Sequence, residues 1–230
     1  MMRTWIVDDV MTQPVVTAEP STSYRELIDL MASRRVSAVP VVDGHRRVIG
    51  VVSETDLVRK IEYAGDEEPH LLDRTSRRGE RAKALADRAA ELMTSPPVVA
   101  PQGTPIATAA RIMDAGGVNR LPVVDDLGRP VGLVTRGDLL RVHLRPDSEI
   151  GAEVRSEVLQ VMLTGRIEGV GIEVTEGVVT LAGQADRWST TDLVTRLTRQ
   201  VPGVVRVIDE VEFDYDDRRI LTPARLFGEA

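Results

Sequence analysis

The sequence predicts an α/β (α+β) protein: a β-α-β-β-α unit that occurs twice, followed by a small α-β-β-α-β unit. Three observations predict it. Between positions 10 and 59, adding 82 to a position returns the same residue at 18 of 50 places, a density that makes one supersecondary unit occur twice. Within each copy, apolar runs of strand length alternate with apolar residues at helical three-to-four spacing. After Arg145-Pro146-Asp147 the pattern changes and does not return.

Each copy begins with a short extended piece, Val15–Thr17 or Val98–Ala100. A helix follows. In the first copy Ser23 and Glu26 have capping-box spacing, and in the second Thr104 is the expected cap with Pro105 at the first helical position. Leu27, Leu30 and Met31, or Ile106, Ala110 and Met113, form the apolar stripe. Two strands come next: Ala38–Val42 with Val48–Val52, and Leu121–Val124 with Val131–Val134. They are apolar without alternation, so both faces should be covered. Ser53-Glu54-Thr55-Asp56-Leu57 and Thr135-Arg136-Gly137-Asp138-Leu139 then lead into a closing helix. One copy is marginal in size, so two should pack about a pseudo-twofold axis.

Between the copies, 60–88 reads as a linker, acidic at Asp66-Glu67-Glu68 and helical from Gly79 to Glu91. Its basic cluster (Arg74, Arg77, Arg78, Arg81, Lys83, Arg88) is a solvated helix face or a phosphate or partner contact. In the third unit a helix over Ser148–Gly165 points Ile150, Val154, Val158, Val161 and Met162 inward. Ile172 and Val174, the Glu176-Gly177 turn and Val178–Leu181 make a hairpin. A helix over Ser189–Gln200, with Ser189 and Asp192 at N-cap spacing, precedes a last strand, Val204–Phe213. Trp188 is a core or helix-start residue or a surface anchor. The tail from Asp214 reads as loose.

Composition narrows the function. The absence of cysteine excludes disulfides, thiol nucleophiles and cysteine metal sites. A net charge of −7 and 3% aromatics disfavour nucleic acid as a partner. His45, His70 and His143 are scattered and predict no metal centre. No nucleophile elbow, Walker loop or H-E-x-x-H occurs, so no catalytic residue and no enzyme activity is expected. No apolar run reaches membrane-spanning length, and Asp8 and Asp9 interrupt the N-terminal segment. The expected setting is the cytoplasm, with peripheral contact to the inner membrane as a variant.

The doubled unit resembles a tandem pair of cystathionine-β-synthase-type (CBS) motifs. The carrying residues are Val10-Met11-Thr12, Val39-Pro40-Val41-Val42-Asp43 and Gly50–Leu57, with their copies Leu92-Met93-Thr94, Leu121–Asp125 and Gly132–Leu139. The resemblance implies a cleft for an adenosyl regulatory ligand (AMP, ADP, ATP or S-adenosylmethionine), with no cofactor required. It assigns the ligand contacts to Thr17, Val36, Ser37, Ala38, Val39, Pro40, Ser53 and Asp56, and to Val118, Asn119, Arg120, Leu121, Pro122, Thr135 and Asp138. Asp56 and Asp138 would accept from a ribose cis-diol, and Arg120 would clamp phosphate. Ser-x-x-Asp and Thr-x-x-Asp are equally N-cap arrangements, and the two roles are compatible. Ala38 opposite Arg120, and Ala100 opposite Thr17, imply at most one strong site, or two of unequal affinity.

The third unit resembles a BON domain, carried by Val174–Gly183 and Val201–Val211. The expected boundaries are 1–59 and 89–145 for the CBS motifs, 148–214 for the BON domain and 215–230 for the tail. Taken together, the resemblances imply a homodimeric regulatory protein whose CBS pair binds an adenosyl molecule and whose BON domain meets a protein or membrane. The alternative is an unliganded CBS dimerisation scaffold with phospholipid or envelope association through the BON domain.

Overall fold

The computed structural model describes residues 5–62, 85–164 and 167–218, with side chains left undescribed over 158–169. Of the expected linker helix, Gly79–Glu91, residues 79–84 lie outside the described residues; beyond them residues 86–88 are not helical and a helix starts only at Ala89, which corrects the expectation there. The inward roles expected of Val158, Val161 and Met162 fall on undescribed side chains. The chain divides into two units: Ile6–Leu139, and Leu140–Ala230 together with Met1–Trp5.

The first unit holds both copies. Helix α1 is Val7–Val10, α2 Tyr24–Arg34, β1 Ala38–Val42, β2 Val48–Ser53 and α3 Glu54–Glu62. The second copy supplies α4 (Ala89–Leu92), β3 (Ala100–Pro101), α5 (Ile106–Ala115), β4 (Arg120–Val124), β5 (Pro130–Thr135) and α6 (Arg136–Leu140). Strands β1 and β2 pair antiparallel, as do β4 and β5, and β3 adds parallel to β4. The offset of 82 survives in the pairing: Ala18 bridges Val41 in parallel, and Ala100 pairs Val123. The extended piece therefore centres on Ala18, and Val15–Thr17 form no strand, which corrects the expectation for the first copy. Burial explains the unbroken apolar runs. Every residue of β1 is buried, and Leu27, Val39, Val41, Val52 and Leu92 are at or near zero exposure. Each such side chain contributes about 1.5–3 kcal/mol.

The copies exchange their leading segments. Thr12 pairs with Leu133 of the second copy, through N–H···O bonds of 2.8 and 3.2 Å. Thr94 pairs with Val51 of the first, at 2.9 and 3.1 Å. This exchange accounts for two of the repeated identities at once. Met11 lies over Gly132, and Met93 over Gly50. A Cβ at either glycine would sit 2.2 or 2.3 Å from the methionine sulfur. Glycine is present at both places because the backbone of one copy meets a side chain of the other.

The capping expectations divide. Ser23 caps α2: its Oγ accepts from Glu26 N–H at 3.3 Å, and Glu26 accepts from Ser23 N–H at 2.8 Å. Thr104 does not cap α5. Its hydroxyl donates to Pro101 O at 2.6 Å, and the N-cap is Pro105, one residue later than expected.

The second unit contains a 3-10 turn at Arg141–Leu144, then α7 (Asp147–Thr164), β6 (Ile167–Thr175), β7 (Val178–Arg187), α8 (Trp188–Gln200) and β8 (Arg206–Tyr215). The sheet order is β6-β7-β8, antiparallel then parallel. Ile150 and Val154 of α7 and Val194 of α8 pack with Val179, Leu181 and Ala185 on one face of it. Two expectations are corrected here. Ser189 does not cap α8 with Asp192. Its N–H and hydroxyl instead donate to Asp217, at 3.0 and 2.5 Å. The tail is therefore not loose from Asp214: Asp217 is 5% exposed, and Arg218 stands over Trp188, 5.4 Å from its ring centre.

Candidate functional site

The site is built where a strand runs into a helix in each copy. Strand β2 ends at Ser53 and α3 starts at Glu54. Asp56, in the first turn, suits the helix dipole, and its Oδ2 accepts from Ser53 N–H at 3.0 Å and Ser53 Oγ at 2.7 Å. The second copy repeats this: Asp138 Oδ2 accepts from Thr135 N–H at 2.9 Å and Thr135 Oγ1 at 2.7 Å. One oxygen of each carboxylate is thus committed to the cap. A carboxylate has about four acceptor positions, so the cap role and a ligand role coexist.

A cavity of about 290 Å³ opens beside Asp56. The first copy lines it with Ala38, Ser53, Asp56 and Arg59, and the second with Thr94, Val98, Gly116, Gly117, Val118, Asn119 and Arg120. Six residues expected from sequence meet there: Ala38, Ser53, Asp56, Val118, Asn119 and Arg120. Asp56 is 7% exposed, a buried carboxylate facing polar groups of the other copy. Arg120 reaches across the boundary between copies. Its Nε donates to Ser37 Oγ at 2.6 Å, and its guanidinium lies 3.7 Å from Glu54.

The other expected residues lie elsewhere. Thr135 and Asp138 form the equivalent arrangement in the second copy and do not line this cavity. Thr17 is half-buried beside Ala18 and does not line it either. Val39 and Leu121 are fully buried, and Pro40 and Pro122 are buried with them. Their side chains belong to the core, because each stands inside a strand covered on both faces, and they do not line this cavity. Val36 and Ser37 line a different hollow, an apolar groove of about 460 Å³ between α2 and α3 that also includes Ile28, Glu54, Val58 and Ile61. That groove is larger and more apolar, although Tyr24, Arg35, Ser37 and Glu54 also line it; the Asp56 cleft is richer in polar side chains. Arg59 and the Gly116-Gly117 pair were not among the sequence candidates. The signal was available for Arg59, since the offset of 82 takes it to Arg141. Among the described residues no group of three or more His, Asp or Glu could hold a metal ion.

Comparison with known proteins agrees with this fold. The CBS domain model matches residues 7–63 and 89–145, and the BON domain model matches 146–215. An uncharacterised protein of Methanocaldococcus jannaschii is 31% identical over 150 residues, 59% of this chain and 89% of that protein. The chain belongs to the CBS domain family. Its CBS pair is also similar to the chloroplastic CBS domain-containing protein CBSX2 of Arabidopsis thaliana, at 30% identity over 61% of this chain and 64% of that protein. The crystal structure of CBSX2 in complex with AMP superposes with a TM-score of 0.53 and 32% identity, over 61% of this chain and 97% of that one. A BON domain follows the pair. Among the described residues, no helix is long and apolar enough to cross a membrane.

Proposed function

We propose that the CBS pair holds an adenine nucleotide in the cleft of Asp56, Asn119 and Arg120, as a regulatory ligand and not as a substrate. One observation carries this reading: a buried carboxylate from one copy, Asp56, lines one cavity together with Asn119 and Arg120 of the other. Asp56 suits the ribose hydroxyls and Arg120 the phosphate. The AMP complex of CBSX2, a relative at 32% identity, supports AMP as the first ligand to test. Binding would act by favouring whichever conformation holds the nucleotide more tightly.

Thermal shift of the full chain with AMP tests it, because a ligand bound only by the folded state raises Tm. Tm should rise with AMP. The rise should vanish in Asp56→Asn and persist in Asp138→Asn, whose site lies outside the cavity. No rise at millimolar AMP would leave the scaffold reading in place.

The remaining parts of the proposal concern partners. A homodimer through the CBS pair is supported by the exposed Ile28, Val58 and Ile61 on the groove of α2 and α3, and sedimentation velocity reads it directly. The BON domain serves a protein or membrane contact. By strand alternation Glu173, Glu210, Glu212 and Asp214 share the sheet face opposite α7 and α8. That charge favours a protein partner over anionic lipid, so liposome sedimentation should find weak binding.

A further inference from the structure

Strand β8 is ten residues long and forms one edge of the three-stranded sheet: among the described residues it pairs with β7 and with no other strand. A strand turns alternate N–H and C=O groups away from its paired neighbour, so about half of the β8 backbone presents a row with no ladder to join. The second half of the strand is open. Glu212, Phe213, Asp214 and Tyr215 are all exposed, Tyr215 by 53%.

The edge is also one-sided in charge. It carries Asp209, Glu210, Glu212 and Asp214 against the single Arg206. Asp209 accepts from Thr195 Oγ1 at 2.8 Å and from Val211 N–H at 3.1 Å, and Asp214 accepts from Gln184 Nε2 at 2.9 Å. Glu210 and Glu212 are exposed and lie on the face away from α7 and α8, about 7 Å apart along the strand. Charged side chains ordinarily guard an edge against copies of itself. Four carboxylates to one guanidinium do so here, because a second β8 would bring like charges opposite one another. A cationic strand is the complementary occupant.

We propose that β8 is a docking edge, to which an extended basic segment of a partner protein adds as a fourth strand. This rests on the protein-contact reading of the BON domain and gives that partner a chemistry. Main-chain hydrogen bonds to the outward groups of β8 supply affinity, and lysine or arginine at every second position meets Glu210 and Glu212 across the new pair. The intervening residues fall on the helix side of the sheet, beside the half-buried Val211 and the exposed Phe213, where apolar side chains fit.

Fluorescence anisotropy of the full chain with a labelled ten-residue peptide of alternating lysine and valine tests the proposal. A Glu-Val peptide and a fully N-methylated Lys-Val peptide are the controls, the first with the wrong charge and the second without backbone donors. The Lys-Val peptide should bind about tenfold or more tightly than either. Glu210→Gln with Glu212→Gln should weaken it about three- to tenfold, Glu173→Gln on β6 should leave it unchanged, and amide exchange should slow at 206–215. Equal binding of either control, or by the double variant, would overturn basic strand addition at this edge. Exchange at 206–215 that slows with protein concentration alone makes a second copy the occupant and overturns it too. If no peptide binds, the docking edge is wrong while a protein contact elsewhere on the BON domain still stands. Protection of that domain by phosphatidylglycerol vesicles instead would overturn the protein-contact reading itself.

Discussion

Replacing Gly50 with alanine puts a methyl carbon 2.3 Å from Sδ, 2.7 Å from Cγ and 3.0 Å from Cβ of Met93. Non-bonded carbons are comfortable at about 3.5–4.0 Å, so the overlap runs along the root of the side chain. Met93 cannot swing clear, because the next residue, Thr94, is bonded twice to Val51. Alanine otherwise gains about 0.5–1 kcal/mol over glycine in a strand, whereas overpacking costs about 1–3 kcal/mol. The expected net loss is about 1–2 kcal/mol. Met93→Ala alone loses packing from a half-buried side chain. In the double variant the approaches at 2.3 and 2.7 Å are gone and only the 3.0 Å approach of the two Cβ atoms remains, so its loss should fall short of the sum by about 1 kcal/mol. Amide hydrogen exchange of the full chain, followed at Val48–Ser53, measures opening of this unit without requiring whole-chain two-state unfolding. A double variant additive to within about 0.5 kcal/mol would refute the crossed packing of the copies. The same cycle applies to Gly132 and Met11, where the approach is 2.2 Å.

Three further outcomes are expected. Arg35 ends α2 with φ 53, at the place where the second copy has Gly117 at φ 62; Arg35→Gly should stabilise by about 0.5–1 kcal/mol, read as a higher Tm. The hydroxyl and N–H of Ser189 hold the Asp217 carboxyl below the usual carboxylate range. Its contribution is present above the unfolded pKa of about 4 and is lost as pH falls through the lowered folded value. Asp217→Asn should flatten the acid limb of BON-domain unfolding followed by Trp188 fluorescence. Arg145 is 12% exposed and pairs with Glu153 at 2.8 Å. Arg145→Ala should destabilise its unit by about 1–3 kcal/mol, because the partly buried Glu153 loses its partner, and denaturant unfolding measures the loss.

Local patterning accounts for what could be read in advance. The strand Ala38–Val42 was bounded to the residue, because an apolar run closed by Asp43-Gly44 has only one way to end. The caps at Thr104 and Ser189 were misassigned for the opposite reason. N-cap spacing is a local signal, and in both places a partner outside the helix took the hydroxyl: Pro101 O for Thr104, Asp217 for Ser189. The cleft was half legible. Ser53 and Asp56 carried a recognisable spacing, whereas Arg59 shows in the sequence only as an arginine repeated at Arg141, and it is the fold that places it on the cleft.

Taken alone, the chain determined that one unit occurs twice, where its strands and helices lie, and that a different domain follows. Those properties depend on periodicity and turn chemistry within a few residues. Only the tertiary structure decided that Thr12 and Thr94 change places between the copies, that Asp56 shares its cleft with Asn119 and Arg120 while Asp138 stands apart, and that Asp217 accepts from Ser189 at the start of the helix begun at Trp188. These pairings join residues far apart in the chain. Their energies come from burial and hydrogen bonds that exist only after the units have closed, so no local pattern encodes them.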